Sequence, residues 1–201
     1  MNPATEPSPA TEEPTGRLWP VMARLVASRW GLVLAFTWGF TEAMSWPIMA
    51  EMALVLFAVA LPRRIWAWAA AVVAGSVTGV LSHAWLSTWD VVIPTPWTTP
   101  AMFETAHAHL LDGPGGIMHQ ALNGIPVKVY AQIAGDLGID LIPLALWTTL
   151  ERGARMGAAA VVLFLLSRVL HRLLRRWYGA YLVIAGGIYA GVLVLVIGSW
   201  R

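Results

Sequence analysis

From Leu18 onward the chain is a series of apolar runs broken at a few polar points. Between Arg29 and Arg63 lie 33 residues, too many for one simple span, and Glu42 and Glu51 interrupt them. Twelve residues separate Arg29 from Glu42, and ten separate Glu51 from Pro62. At a rise of about 1.5 Å per residue, either arm covers roughly half of a ~30 Å hydrocarbon core. Pro47 stands between the carboxylates, where a helix would break. The pattern predicts a re-entrant helical hairpin over about 30–62. Such broken backbone is tolerated at membrane depth only when it is buried in protein or lines a wet cavity.

The pattern recurs. Residues 124–134, GIPVKVYAQIA, form a short apolar arm; Gly135, Asp136 and Gly138 interrupt it; residues 139–150, IDLIPLALWTTL, form another, ending at Glu151 and Arg152. A second hairpin is therefore expected over about 124–150, with its break at Gly135. Three ordinary spans complete the set, at 66–88, 153–171 and 178–199, with an external loop at 89–123 between the first span and the second hairpin. Residues 1–17 are rich in Pro, Thr and Glu and poor in large apolar groups, so a disordered tail is expected there, with no signal-peptide pattern. Residues 18–201 then form one membrane domain.

Lys and Arg set the orientation. Residues 65–127 contain neither, whereas Arg17, Arg24, Arg29, Arg63, Arg64, Arg168, Arg172, Arg175 and Arg176 flank other segments. Placing that flanking set in the cytoplasm brings the two hairpins to the midplane from opposite faces, as in inverted repeats. Arg201 opposes this arrangement mildly, leaving the side of the C-terminus open. The expected fold class is an all-α polytopic membrane protein with two oppositely oriented re-entrant hairpins and about three transmembrane helices.

Composition agrees with a membrane protein: 58% of residues are apolar and 12% charged, against about 25% charged in an average soluble domain. Several of the 12 tryptophans, Trp19, Trp66, Trp68, Trp89, Trp177 and Trp200 among them, lie near the ends of apolar runs, where an aromatic belt would place them. The chain has no cysteine, so disulfides, thiolate metal sites and cysteine nucleophiles are excluded. A net charge of +2 with scattered basic residues does not suggest nucleic acid. Gly75, Ser76 and Gly79 make a small-residue face for close helix approach, and Gly187 and Gly191 form a GxxxG pattern better assigned to internal packing. A homo-oligomer is compatible with the latter.

Charge inside apolar segments is expensive and marks pathways. Glu42 and Glu51 would fall on opposite faces of one continuous helix, but a break at Pro47 lets both turn toward one cavity. They are read as a proton- or cation-coupling pair, against the alternative that they cap an arm or pair structurally with arginine. Arg152 and Arg155 share a helix face, and their planar forks suit phosphate oxygens. They would clamp a lipid phosphate or partner Glu42 and Glu51; the simpler alternatives are a Glu151–Arg155 pair and a topology signal. Lys128, the sole lysine, either meets an anionic group or snorkels to the interface. Asp136 and Asp140 are better read as helix caps than as partners for these cations. His107, His109 and His119 could bind zinc in principle, but 107 and 109 are not neighbours on a helix face, so a solvated, partly amphipathic loop is expected and no metal or cofactor. No GxSxG, HExxH or P-loop occurs, and no enzyme is expected.

Four stretches in order resemble the DedA family, also called SNARE-associated or VTT-domain membrane proteins. FTEAMSWPIMAEMAL at 40–54 is similar to its F-x-E…P-x-x-x-E opening, and Gly75–Gly79 to its small-residue pair on the next helix. GIPVKVYAQIAG at 124–135 and ERGARMG at 151–157 resemble its second half, where a P-x-K…AG segment precedes a GRxxR-like element. The chain departs from the pattern at Met49, at Glu151 in place of a glycine, and at SHAWLSTWD after the first glycine pair. The resemblance implies a multi-pass protein of the bacterial inner membrane that moves undecaprenyl phosphate or another phospholipid, with proton coupling. Its matching positions are Glu42, Glu51, Arg152 and Arg155; the mechanism expected on that basis has the two carboxylates couple to protons while the arginines, joined by Lys128, bind the lipid phosphate. A proton-coupled ion or drug transporter and a non-transporting assembly partner are the alternatives.

Overall fold

The computed structural model describes residues 18–199. Among these the chain is helical throughout its regular structure, with no strand. The expected tail at 1–17, together with Trp200 and Arg201, lies outside the described residues.

Helix α1 (Leu18–Ala27) buries Trp19 and Val26; hydropathy alone did not separate it from the following run. Ser28 divides it from α2 (Arg29–Met44), and the Ser28 hydroxyl accepts the Gly31 N–H, 3.1 Å away, as an N-cap. The chain then breaks over residues 45–50, around Pro47, as its sequence predicts. The second arm is shorter than expected: α3 (Glu51–Leu56) is followed by 3-10 turns at 58–60 and 62–64. Helix α4 (Ile65–Ser87) occupies the expected span.

Helices α2 and α4 cross with their backbones in contact. A Cβ added at Gly39 would collide with the Val72 carbonyl, one at Gly75 with that of Phe36, and one at Gly79 would lie 2.6 Å from that of Phe40. The small-residue face of α4 is thus used inside the molecule. In contrast, Gly187 and Gly191 face no internal neighbour, contrary to the expectation that they pack within the fold.

The loop expected at 89–123 contains structure. Helix α5 (Pro100–Leu110) buries Met102, Ala106 and Leu110 on one side, a 3-10 turn covers 114–119, and α6 (Gln120–Asn123) leads into α7 (Val127–Asp136). Met102, Ala106 and Leu110 pack with Val80 and Ala84 of α4 and Tyr130 and Ala134 of α7 into one apolar core.

The second hairpin departs from the sequence reading at two points. Gly135 is inside α7, not at a break; it lets α7 approach α4, where an added Cβ would meet the Ala84 carbonyl. The chain turns at 137–140 instead, with Gly138 at φ +64° and the Asp140 carboxylate capping α8 through Ile142 N–H at 3.2 Å. Second, the arm expected at 139–150 and the span expected at 153–171 are one helix. Helix α8 (Leu141–Val169) runs 29 residues through Glu151, Arg152 and Arg155, about 43 Å. These side chains do not end the helix, because partners on α2 and α3 receive their charge.

Helix α9 (His171–Ser199) has non-helical torsions at Trp177 (φ −115°, ψ 29°). The stretches Pro62–Ser87 and Arg172–Ser199 are long and apolar enough to cross a membrane. The most apolar part of α9 has no buried residue, and Val183, Val194 and Leu195 are each at least 70% exposed. Of the tryptophans expected at an interface, Trp66, Trp89 and Trp177 are exposed, whereas Trp19 and Trp68 are core residues. Trp68 Nε1 donates to the Val26 carbonyl at 3.2 Å, fastening α1 to α4.

Candidate functional site

The break after α2 and the middle of α8 meet inside the molecule. Glu42 lies in the last two turns of α2, and Glu51 opens α3 beyond Pro47. Glu151 and Arg152 are adjacent on α8, and Arg155 lies one turn further on. Arg152 Nη2 lies 3.3 Å from both Glu42 oxygens, and its Nε lies 3.4 Å from Glu151. Arg155 pairs with Glu51 and, at 3.4 Å, with Glu151 one turn earlier. Its guanidinium also donates to Gln120 Oε1 from α6. Glu42, Glu151 and Arg152 are buried, whereas the Arg155 and Glu51 side chains keep 16% and 20% exposure. The cluster therefore has a closed inner end at Arg152 and an open outer end at Arg155.

Three carboxylates meet two guanidiniums here, so the fully ionised cluster carries one excess negative charge. Each carboxylate also keeps one buried oxygen without a hydrogen-bond donor: Glu42 Oε2, Glu51 Oε2 and Glu151 Oε2. Buried polar atoms are normally satisfied, and a proton on one carboxylate would both neutralise the cluster and supply a donor. The third carboxylate, Glu151, is one the sequence reading treated only as a helix partner of Arg155. That i,i+4 pair does form, but within a five-residue network.

The open end faces a cavity of about 290 Å³. Glu42, Gln120 and Arg155 supply its polar end; Trp46, Pro47 and Met49 of the break and Val192, Leu193 and Val196 of α9 form apolar walls. Helix α9 is fastened over the broken arm by three tyrosines. Tyr178 donates to the Leu56 carbonyl, Tyr181 to that of Val55 at 2.7 Å, and Tyr189 to that of Pro47 at 3.0 Å while accepting the Met49 N–H at 3.1 Å.

Lys128 is elsewhere. It is 1% exposed, and its Nζ donates to the carbonyls of Ser45 (3.1 Å) and Pro96 (2.8 Å). It neither snorkels nor lines the cavity; it ties the broken backbone to the 89–99 segment, which Ser45 Oγ also holds through Pro94 O at 2.6 Å. Asp140 is a cap, as expected. His107 is exposed, while His109 stacks on His119 with ring centroids 4.2 Å apart and meets the Tyr130 hydroxyl at 2.7 Å. Among the described residues no group of three or more His, Asp or Glu is placed to hold a metal ion. Gln120 and the three tyrosines of α9 escaped the sequence reading, since an uncharged polar residue within an apolar chain carries no signal of its own.

No protein-family model, curated protein or solved structure matches this chain.

Proposed function

We propose that the protein is a multi-pass transporter of the bacterial inner membrane that carries an anionic lipid across the bilayer, as its resemblance to the DedA family implies. In this reading 45–50 and 137–140 are the turns of two hairpins that reach the membrane interior, and the exposed apolar face of α9 meets lipid. The observation that carries it is the open end of the charge cluster: Arg155, paired but partly accessible, beside an apolar-walled cavity. A lipid phosphate competes with Glu51 for the Arg155 fork, and the displaced carboxylate takes a proton, which keeps the cluster's charge balanced. Arg152, enclosed by Glu42 and Glu151, positions the carboxylates rather than touching the lipid. Undecaprenyl phosphate and ordinary phospholipids share the required chemistry, an anionic phosphate on an apolar tail.

The test is translocation of labelled undecaprenyl phosphate and labelled phospholipid in proteoliposomes, with and without a pH gradient. Gradient-dependent movement that is lost in Glu51→Gln and Arg155→Ala is expected. Lipid movement retained in both variants overturns the assignment. The excess carboxylate favours a second reading, a proton-coupled ion or drug transporter; substrate-stimulated proton flux with no lipid movement would select it.

A further inference from the structure

A single file of hydrogen bonds connects the helix α5 side of the molecule to Arg155, and backbone groups fix the direction of every link except the one to His109. The Ile125 N–H donates to Asn123 Oδ1 at 2.9 Å. Because that partner can only donate, the Asn123 amide is oriented with Nδ2 toward Tyr130, to whose hydroxyl it donates at 2.6 Å. The Tyr130 hydrogen is then free to go to His109 Nδ1, at 2.7 Å; it finds an acceptor there when the neutral imidazole carries its hydrogen on Nε2. At the other end, the Ile125 carbonyl can only accept, which orients Gln120 with Nε2 donating to it at 2.9 Å. The Gln120 Oε1 thus faces the Arg155 guanidinium and receives its hydrogen bond. Residues 120–122 and 124–126, on the stretch that the file threads, form one wall of the cavity, and Gly124 makes their tight turn at φ +74°.

We propose that neutral His109 is a positioning residue for Arg155: by accepting the Tyr130 hydroxyl it fixes the 120–126 wall and, through Gln120, the orientation of the guanidinium toward the cavity. A proton on Nδ1 turns this acceptor into a donor. Tyr130, which is fully buried, would then face two donors and its own hydrogen would lose its acceptor. The wall loosens and Gln120 releases Arg155. The titratable groups facing His109 are His119 from the 3-10 turn, stacked on it, and Tyr130 from α7; Glu151 of α8 acts on Tyr130 electrostatically from within the cluster. On its own helix Glu104 and His107 are exposed. Burial, and then the neighbouring His119, hold the His109 imidazole below its ordinary value, which keeps it neutral near pH 7 and lets acidification act on it.

The significance for transport rests on the cavity being the substrate site, but the inference is tested without any substrate. The chain has no cysteine, so Ala121→Cys places a single thiol in the wall. Its maleimide labelling rate in proteoliposomes, divided by the rate of Val92→Cys, which is 88% exposed and outside the cavity wall, under the same conditions, reports opening of the wall with the shared pH dependence of thiol ionisation divided out. The ratio should rise several-fold as pH falls from about 8 to about 5, through the imidazole range. In His109→Gln, whose amide oxygen accepts but does not titrate, the ratio should stay low and flat. In Tyr130→Phe it should be high and flat. A ratio for the native His109 background that does not change with pH, or the same pH profile in His109→Gln, overturns the proposal; if His109→Gln fails to fold, the Tyr130→Phe profile decides, a pH-dependent ratio there being the overturning result. A protein that moves no lipid but shows the expected labelling would leave this inference standing while removing the transport reading.

Discussion

Replacing Arg152 with leucine removes the cation at the closed end of the charge cluster. Glu42 then has no ion pair among the described residues, and Glu151 keeps only Arg155. Breaking a buried pair by deleting one partner costs about 3–5 kcal/mol, because a charge is left uncompensated. The protein's escape is to protonate Glu42. From an ordinary glutamate value near 4.3, holding it neutral at pH 7 costs about 3–4 kcal/mol, similar in size. A typical fold has only about 5–15 kcal/mol in hand, so Arg152→Leu should be severely destabilised at neutral pH. The deficit should shrink as pH falls toward about 4, where protonation becomes free. The double variant Glu42→Leu/Arg152→Leu removes both members of the pair and leaves the cluster with the same net charge as before. Replacing a buried pair by apolar groups is often neutral or stabilising, so the double variant should recover most of the loss. Unfolding by added SDS in mixed micelles, followed by tryptophan fluorescence and far-ultraviolet dichroism, gives the comparison. A single variant as stable as the parent, or a double variant as unstable as the single, would refute the claim that these two residues balance each other inside the protein.

Arg155→Lys keeps the charge but loses the fork, so it cannot serve Glu51, Glu151 and Gln120 together; on the proposed transport reading, lipid translocation should fall at least tenfold with stability changed by about 1–2 kcal/mol or less. Lys128→Met should free residues 89–99, read as faster amide exchange there, while leaving the Glu–Arg pairs intact. Gly39→Leu should abolish folding, seen as aggregation on size-exclusion chromatography, because a side chain there meets the Val72 backbone, which cannot move aside. For His109 the sign is set by its depressed value: the unfolded chain takes up the proton first as pH falls through about 6.5, so this residue's contribution to stability holds above that range and is lost below it. His109→Gln should accordingly flatten the acid side of the stability profile relative to the parent.

Helix breaks and interior charge were the features most legible in the chain. Pro47 and the flanking glutamates fixed the first break because proline and charge each disfavour a continuous apolar helix there. The glycines of α4 marked a close crossing for the same kind of reason, since only small side chains permit it. The second break was misplaced because glycine has two uses: Gly135 gives α7 room against α4, whereas Gly138 makes the turn. The continuity of α8 was illegible because a run of Glu and Arg reads locally as an interface, and only partners more than 100 residues earlier in the chain make it an interior. Gln120, Asn123 and Tyr130 gave no signal, since their role depends on which backbone groups they meet.

Helix α9 is fastened through tyrosine hydroxyls to main-chain atoms of residues 47, 49, 55 and 56. Main-chain atoms are the same whatever residue carries them. The side chains of the broken arm can therefore vary widely without altering how α9 is attached, as long as the spacing of the anchors is kept. A one-residue insertion between 49 and 55 would do what substitution does not: it would put the hydroxyl partners out of register and detach one end of the helix from the other's frame. The attachment is thus tolerant of spelling and intolerant of length.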